Sequence, residues 1–297
     1  TVQLLFAGQR EIAEALMQQI ETARSADAGP ALLAWIDHAR SLRALFSGDL
    51  GAYAHHKRAA ALRFEEAGDR RNACSQRGKL GYALRELGAH EEAERALSAA
   101  LETAREMGLL QVIAVAEHNL GLTLMYLGRI PEARRAEEAA VNAFAAQGDR
   151  RLEAAARMYL ALILERAGDL GAAAKQAQKG FALAPAASPA QVHAGAALAR
   201  IRLWQGRASE ALEVARAAMD LLTTLGGIDE GEPMLRLTYA EALAACGDRT
   251  SARAAIRAAG NRLRERAERI SDEELRRSFL AAVPENARTL ELERVWE

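Results

Sequence analysis

The chain has 297 residues, with 39 basic against 40 acidic side chains and a formal net charge of −1, so no global field draws it to nucleic acid or to an acidic membrane surface. Its two cysteines, Cys74 and Cys246, stand 172 positions apart, unlike the short, even spacings of a disulfide-stapled secreted chain, and a reducing cytoplasm is the natural compartment. Alanine fills 69 positions and aromatics only 5%, while apolar runs such as Leu120–Leu127 stop far short of the roughly 20 residues that cross a bilayer; the composition is helical and excludes a membrane span.

The first residue is Thr1, and Val2–Phe6 follows no basic segment, so the start does not read as a secretory signal and a fragment of something longer, or a processed product, is expected. From there glycines set the punctuation. Gly8, Gly48, Gly88, Gly128 and Gly168 are each 40 residues apart, and Gly206 and Gly247 continue at spacings of 38 and 41. A second series, Gly68, Gly108 and Gly148 with Gly226 as a late member, runs half a period out of phase. Glycine takes the left-handed conformation just past a helix end at little cost, so two glycines per period mark two helix ends and the unit is a helical hairpin. Between the glycines the apolar spacing is near 3.6, as in Leu80, Leu84, Leu87 and in Leu120, Leu124, Leu127. Pro131 falls in the first turn of a second helix, and Pro30, Pro185, Pro189, Pro233 and Pro284 fall between hairpins. Ser188–Gln191 and Ser271–Glu274 read as capping boxes. These signals predict an all-α solenoid of about six antiparallel hairpins over residues 1–270, a C-terminal capping segment over 271–297, and no strands. The unit around Gly8 has lost most of its first helix.

Within the units, Leu80-Gly81, Gly88, Ala93 and Ala100 repeat as Leu120-Gly121, Gly128, Ala133 and Ala140, then as Leu160-Ala161, Gly168, Ala173 and Gly180. Leu198-Ala199, Gly206, Ala211, Ala218 and Tyr239-Ala240, Gly247, Ala252, Ala259 continue the series. This pattern resembles the tetratricopeptide repeat family, although the period is near 40 rather than 34 and Arg40-Ser41 stands where Leu-Gly is expected. Small residues let the two helices of a hairpin approach and the next hairpin dock. The stretch Phe279–Leu290 resembles, more narrowly, the end of the repeat regions that close bacterial Ser/Thr protein kinases and multidomain ATPase or cyclase regulators.

Stacked hairpins of this kind form a right-handed superhelix with the first helices on the concave face. The resemblance implies groove positions 13, 10, 9, 6, 3 and 2 residues before each turn glycine. Those expected to meet a partner are Lys79, Tyr82 and Arg85; His118, Asn119, Leu122, Met125 and Tyr126; Met158, Tyr159, Leu162 and Arg166; and His193, Arg200 and Trp204. Apolar surface rimmed by donors suits a peptide or a partner helix. Long helices or tight curvature would instead bury Leu122, Met125 and Leu162 between adjacent first helices. Glu137 and Glu138 are expected on the convex face.

No residue pattern supports chemistry. His90-Glu91 with Glu94 lacks the second histidine of a zinc helix, Gly78-Lys79 lacks the rest of a phosphate loop, and the adjacent His55 and His56 point to different parts of a helix. Cys74 and Cys246 read as small buried apolar residues. Glu265 and Glu268 interrupt the arginines of 257–269, which makes that stretch a solvated face rather than an RNA contact. The sequence therefore points to a non-catalytic protein-interaction scaffold with no cofactor and no metal, its partner a protein or peptide, within a larger bacterial signalling protein. A peptide sensor that changes pitch, and part of an enzyme whose catalytic domain lies elsewhere, are the alternatives.

Overall fold

A computed structural model describes residues 10–22, 29–228 and 230–296, and among them every regular element is an α-helix. A leading helix α1 (Arg10–Thr22) is followed by six hairpins. The first three pair α2 (Pro30–Ser47) with α3 (Leu50–Glu66), α4 (Arg70–Glu86) with α5 (His90–Glu106), and α6 (Leu110–Tyr126) with α7 (Ile130–Gln147). The last three pair α8 (Arg150–Arg166) with α9 (Leu170–Leu183), α10 (Pro189–Trp204) with α11 (Ala208–Leu225), and α12 (Glu232–Ala245) with α13 (Arg249–Glu268). Two C-terminal helices follow, α14 (Glu273–Ala281) and α15 (Pro284–Trp296). Gly8, the first glycine of the series, lies outside the described residues.

The glycine punctuation has the expected backbone basis. Gly48, Gly88, Gly128, Gly168, Gly206 and Gly247 inside the hairpins, and Gly68, Gly108, Gly148 and Gly226 between them, all have positive φ. At Gly88 the N–H donates to the Arg85 carbonyl at 3.0 Å and that of Ala89 to the Leu84 carbonyl at 2.9 Å, which satisfies carbonyls a helix end leaves open. Five of these glycines precede an aspartate that caps the next helix: Asp49, Asp69, Asp149, Asp169 and Asp248 each accept from the backbone N–H three residues on, at 2.9–3.0 Å. Ser188 caps α10 as expected, but its Gln191 carbonyl oxygen accepts from the N–H of Ala187, one residue earlier than in a capping box. Ser271 does not cap α14. Asp272 does, accepting from Leu275 N–H at 2.9 Å, because the helix starts one residue later than the sequence suggests.

The chain divides into two compact units, Thr1–Ala116 with Arg266–Phe279 and Glu117–Glu265 with Leu280–Glu297. In the first unit α3 packs on both α2 and α4, and α4 on α5. Residues 270–272 close this unit: Ser271 N–H donates to Asp49 Oδ1 at 3.3 Å, and a Cβ added at Gly51 would stand 3.1 Å from Ile270 Cγ2. In the second unit the first helices lie side by side, α10 touching both α8 and α12, with second helices α9 and α11 between them. Leu292 and Trp296 of α15 cover Leu237 and Ala240 of α12 and Ile256 of α13.

Small residues set the crossing distances. A Cβ at Gly121 would come within 3.3 Å of the Ala133 carbonyl oxygen, and one at Gly180 within 3.1 Å of that of Ala154. Ala133 itself is fully buried. Ala133→Leu therefore overpacks the α6–α7 crossing, and urea unfolding should show a loss of about 1–3 kcal/mol.

Candidate functional site

In the first unit, Lys79 is exposed, Tyr82 half-buried and Arg85 buried, with the Arg85 guanidinium 5.1 Å from the Tyr82 ring centre and 2.8 Å from Glu86 Oε1. The same unit holds a buried polar group that is not among the residues expected to meet a partner. Lys57 is fully buried; its Nζ donates to Gln76 Oε1 at 2.7 Å and sits 2.9 Å from His38 Nδ1. Burial, followed by the charge of Lys79, pushes the Lys57 amine down to about 7. Burial and the charges of Lys57 and Lys79 push His38 down to about 4. Asp37 is also buried, which alone would raise its carboxyl, but the His56 hydrogen bond and the charges of Arg63, His56 and Arg40 outweigh burial and hold it below the usual range.

In the second unit, a buried ring ladder crosses three first helices. His118 on α6 stacks on Tyr159 of α8 at 4.5 Å between centres and 12° between planes, and Tyr159 meets His193 of α10 edge-on at 5.8 Å. His118 Nδ1 pairs with Glu137 Oε1 at 2.7 Å. Glu137 is thus fully buried against α6 rather than on the convex face. Its position explains this. Lys57, Leu97, Glu137, Ala177, Ala215 and Ile256 all stand nine residues after a turn glycine, and all are buried. His38 and His118, ten residues before Gly48 and Gly128, face Lys57 and Glu137 in equivalent places of their hairpins.

Of the groove positions in this unit, His118, Asn119, Leu122, Met125, Met158, Tyr159, Leu162 and His193 are buried. First helices of 16 and 17 residues packed side by side take up the positions well before the turn. Two residues before their turn glycines, Arg166 and Trp204 are exposed and Tyr126 half-buried, and Arg200, six residues before Gly206, is half-buried as well. Tyr126 Oη donates to Glu285 Oε2 at 3.4 Å, and Arg200 Nη1 lies 3.6 Å from Glu285 Oε1. Glu165 is buried beside them, and burial raises its carboxyl, an effect that Arg200 and Arg166 oppose and Glu285 reinforces. Glu165 falls in the groove register, three residues before Gly168, whereas Glu241 and the α15 residues escaped the sequence reading. Applying the same register to Gly247, with Glu241 six residues before it, is the signal that finds part of this set.

Cys74 is buried and its Sγ donates to the Ala100 carbonyl at 3.1 Å, whereas Cys246 is exposed at the C-terminal end of α12, contrary to the buried place expected for it. Among the described residues no group of three or more His, Cys, Asp or Glu is placed to hold a metal, and no helix is long and apolar enough to cross a membrane.

No family model matches the chain, and no curated protein matches it. Solved structures do. A Rap protein complexed with competence and sporulation factor is 15% identical, with a TM-score of 0.67 over 96% of this chain and 81% of that one. NprR in complex with its cognate peptide NprX is 14% identical, with a TM-score of 0.68 over 98% and 84%. The Rap conjugation gene regulator of the plasmid pLS20, in complex with the Phr* peptide, is 12% identical, with a TM-score of 0.63 over 89% and 74%. The fold is that of tetratricopeptide-like helical repeat proteins.

Two measurements check this geometry. Between about pH 7 and the ordinary lysine value of 10.5, the unfolded chain holds a proton on Lys57 that the folded chain has released, so stability should rise with pH across that window. Lys57→Met should remove that part of the slope in urea unfolding. Tyr159→Ala empties a buried site in the ring ladder and should cost about 3–5 kcal/mol, whereas half-buried Tyr126→Ala should cost less than half as much.

Proposed function

We propose that the chain is a non-catalytic peptide- or protein-binding module that acts within a bacterial cytoplasmic signalling system. Trp204 carries this reading. It stands at a groove position with 56% of its surface exposed, although large aromatics are normally consumed by packing, and Tyr126, Arg200 and Arg166 occupy neighbouring open positions. The Rap and NprR structures of like fold hold peptides, which supports a short peptide as the partner. Residues 271–297 act as the capping segment, and in the second unit the open groove residues Tyr126, Arg166, Arg200 and Trp204 form the contact surface. The buried members hold the first helices in register. The narrower resemblance of residues 279–290 to kinase, ATPase and cyclase regulators draws no support from these likenesses.

Peptide display panned on the full chain tests the reading. Selected peptides should lose about 2 kcal/mol or more of binding energy with Trp204→Ala or with Tyr126→Ala, and almost nothing with Glu138→Ala on the outer face. Loss on the outer-face change with full binding by both groove variants would move the site to the other surface. A change in scattering profile on peptide binding distinguishes a sensor from a rigid scaffold.

A further inference from the structure

An open cavity of about 370 Å³ lies between α10, α12 and α15, bounded by Leu203, Trp204, Glu241, Arg288 and Trp296. Its volume is in the range of about 300–1,000 Å³ in which small ligand groups are held. Four of its walls follow from the repeat register. Leu203 and Trp204 stand three and two residues before Gly206, and Ala244 and Ala245 stand three and two before Gly247. Two indoles and small aliphatic side chains thus surround one carboxylate.

That carboxylate is short of positive charge. Glu241 is 3.6 Å from Arg288, but Arg288 is closer to Glu291, at 2.9 Å. The other guanidinium nearby, Arg200, is shared: it acts on Glu241 and on Glu165 and pairs with Glu285 at 3.6 Å. Burial raises the Glu241 carboxyl in spite of both arginines. A second acceptor has the same need: Glu165 is 6% exposed, and its Oε2 has no hydrogen-bond partner. Three guanidinia, Arg166, Arg200 and Arg288, thus face four carboxylates, Glu165, Glu241, Glu285 and Glu291, which leaves the region one positive charge short, and a guest cation would relieve it. Tryptophan faces attract cations, and a planar guanidinium both stacks on an indole and bonds a carboxylate through two N–H groups, which an ammonium does not.

We infer that this cavity is a guanidinium pocket that receives an arginine side chain of the segment bound to the second unit; for its occupant, though not for its chemistry, this rests on the peptide-binding reading. The full chain is titrated with N-acetyl-arginine amide and, in parallel, with N-acetyl-citrulline amide, an uncharged probe of nearly the same shape, by calorimetry and indole fluorescence. The arginine probe should saturate and bind at least tenfold more tightly than citrulline. Glu241→Gln and Trp204→Ala should each weaken it at least fivefold while the helical circular dichroism is retained. Trp204 is exposed, so its variant carries the test even where the half-buried Glu241→Gln variant loses stability. Equal affinity for the two probes, no saturation, or undiminished binding by Trp204→Ala overturns the pocket. Panned peptides that bind without needing an arginine overturn the segment as its source. Binding of arginine amide without any peptide binding leaves the pocket standing and removes the peptide reading.

Discussion

The close crossing of two helices through residues without bulk is the constraint from which the rest of this protein follows. A Cβ at Gly81 would come within 2.7 Å of a Leu97 methyl, one at Gly195 within 3.0 Å of Ala218 Cβ, and one at Gly121 within 3.3 Å of a backbone oxygen. Helices this close exclude large side chains from the crossing, so Ala93, Ala133, Ala173, Ala211 and Ala252 sit there fully or almost fully buried. Large side chains are displaced to the faces where one first helix meets the next. A chain with 5% aromatics gains its packing from proximity.

That displacement puts polar groups in dry places. His118 and Glu137 satisfy each other across the α6–α7 hairpin, as charge-capable partners in a low-dielectric site must. The equivalent pair of the first hairpin, His38 and Lys57, has no carboxylate, and the structure answers with neutral hydrogen bonding to Gln76 and with pKa values pushed down to about 4 and about 7. Leucine, isoleucine or alanine serves at the same place in the other hairpins, so neither polar pair is needed for a hairpin to form. Each marks its hairpin as chemically distinct within an otherwise repetitive array, a specificity that apolar packing alone would not supply.

The glycine register was legible because backbone conformation is a property of single residues: a positive φ at Gly88 or Gly128 is written in the residue itself. Hairpin pairing and small crossing positions were legible for the same reason. Burial of Glu137 was not, since a glutamate in an alanine-rich helix looks solvated until its partner 19 residues earlier is known. The groove positions were legible as a register but not as a surface. Tyr159 and Tyr126 differ by seven places in that register, and neighbouring first helices bury the former while leaving the latter half-buried. Cys246 was misread because its register place does not decide burial: Leu87, likewise directly before a hairpin glycine, is fully buried, while Cys246 is exposed.

The C-terminal helix shows how stability and recognition become coupled at the end of a repeat array. The last hairpin has an apolar face with no following hairpin to cover it, and Leu292 and Trp296 cover it instead. Yet much of the buried face of α15 is polar: Glu285 reaches Tyr126 and Arg200, Glu293 accepts from Arg264 Nη1 at 3.1 Å, and Asn286 and Thr289 are fully buried. The helix therefore closes the core and at the same time contributes carboxylates and a guanidinium to the inner face. Trp296 takes part in both, lying against the core cluster and in the cavity wall. Any ligand that touches this wall binds only the state in which α15 is docked, so by mass action it must also stabilise the cap.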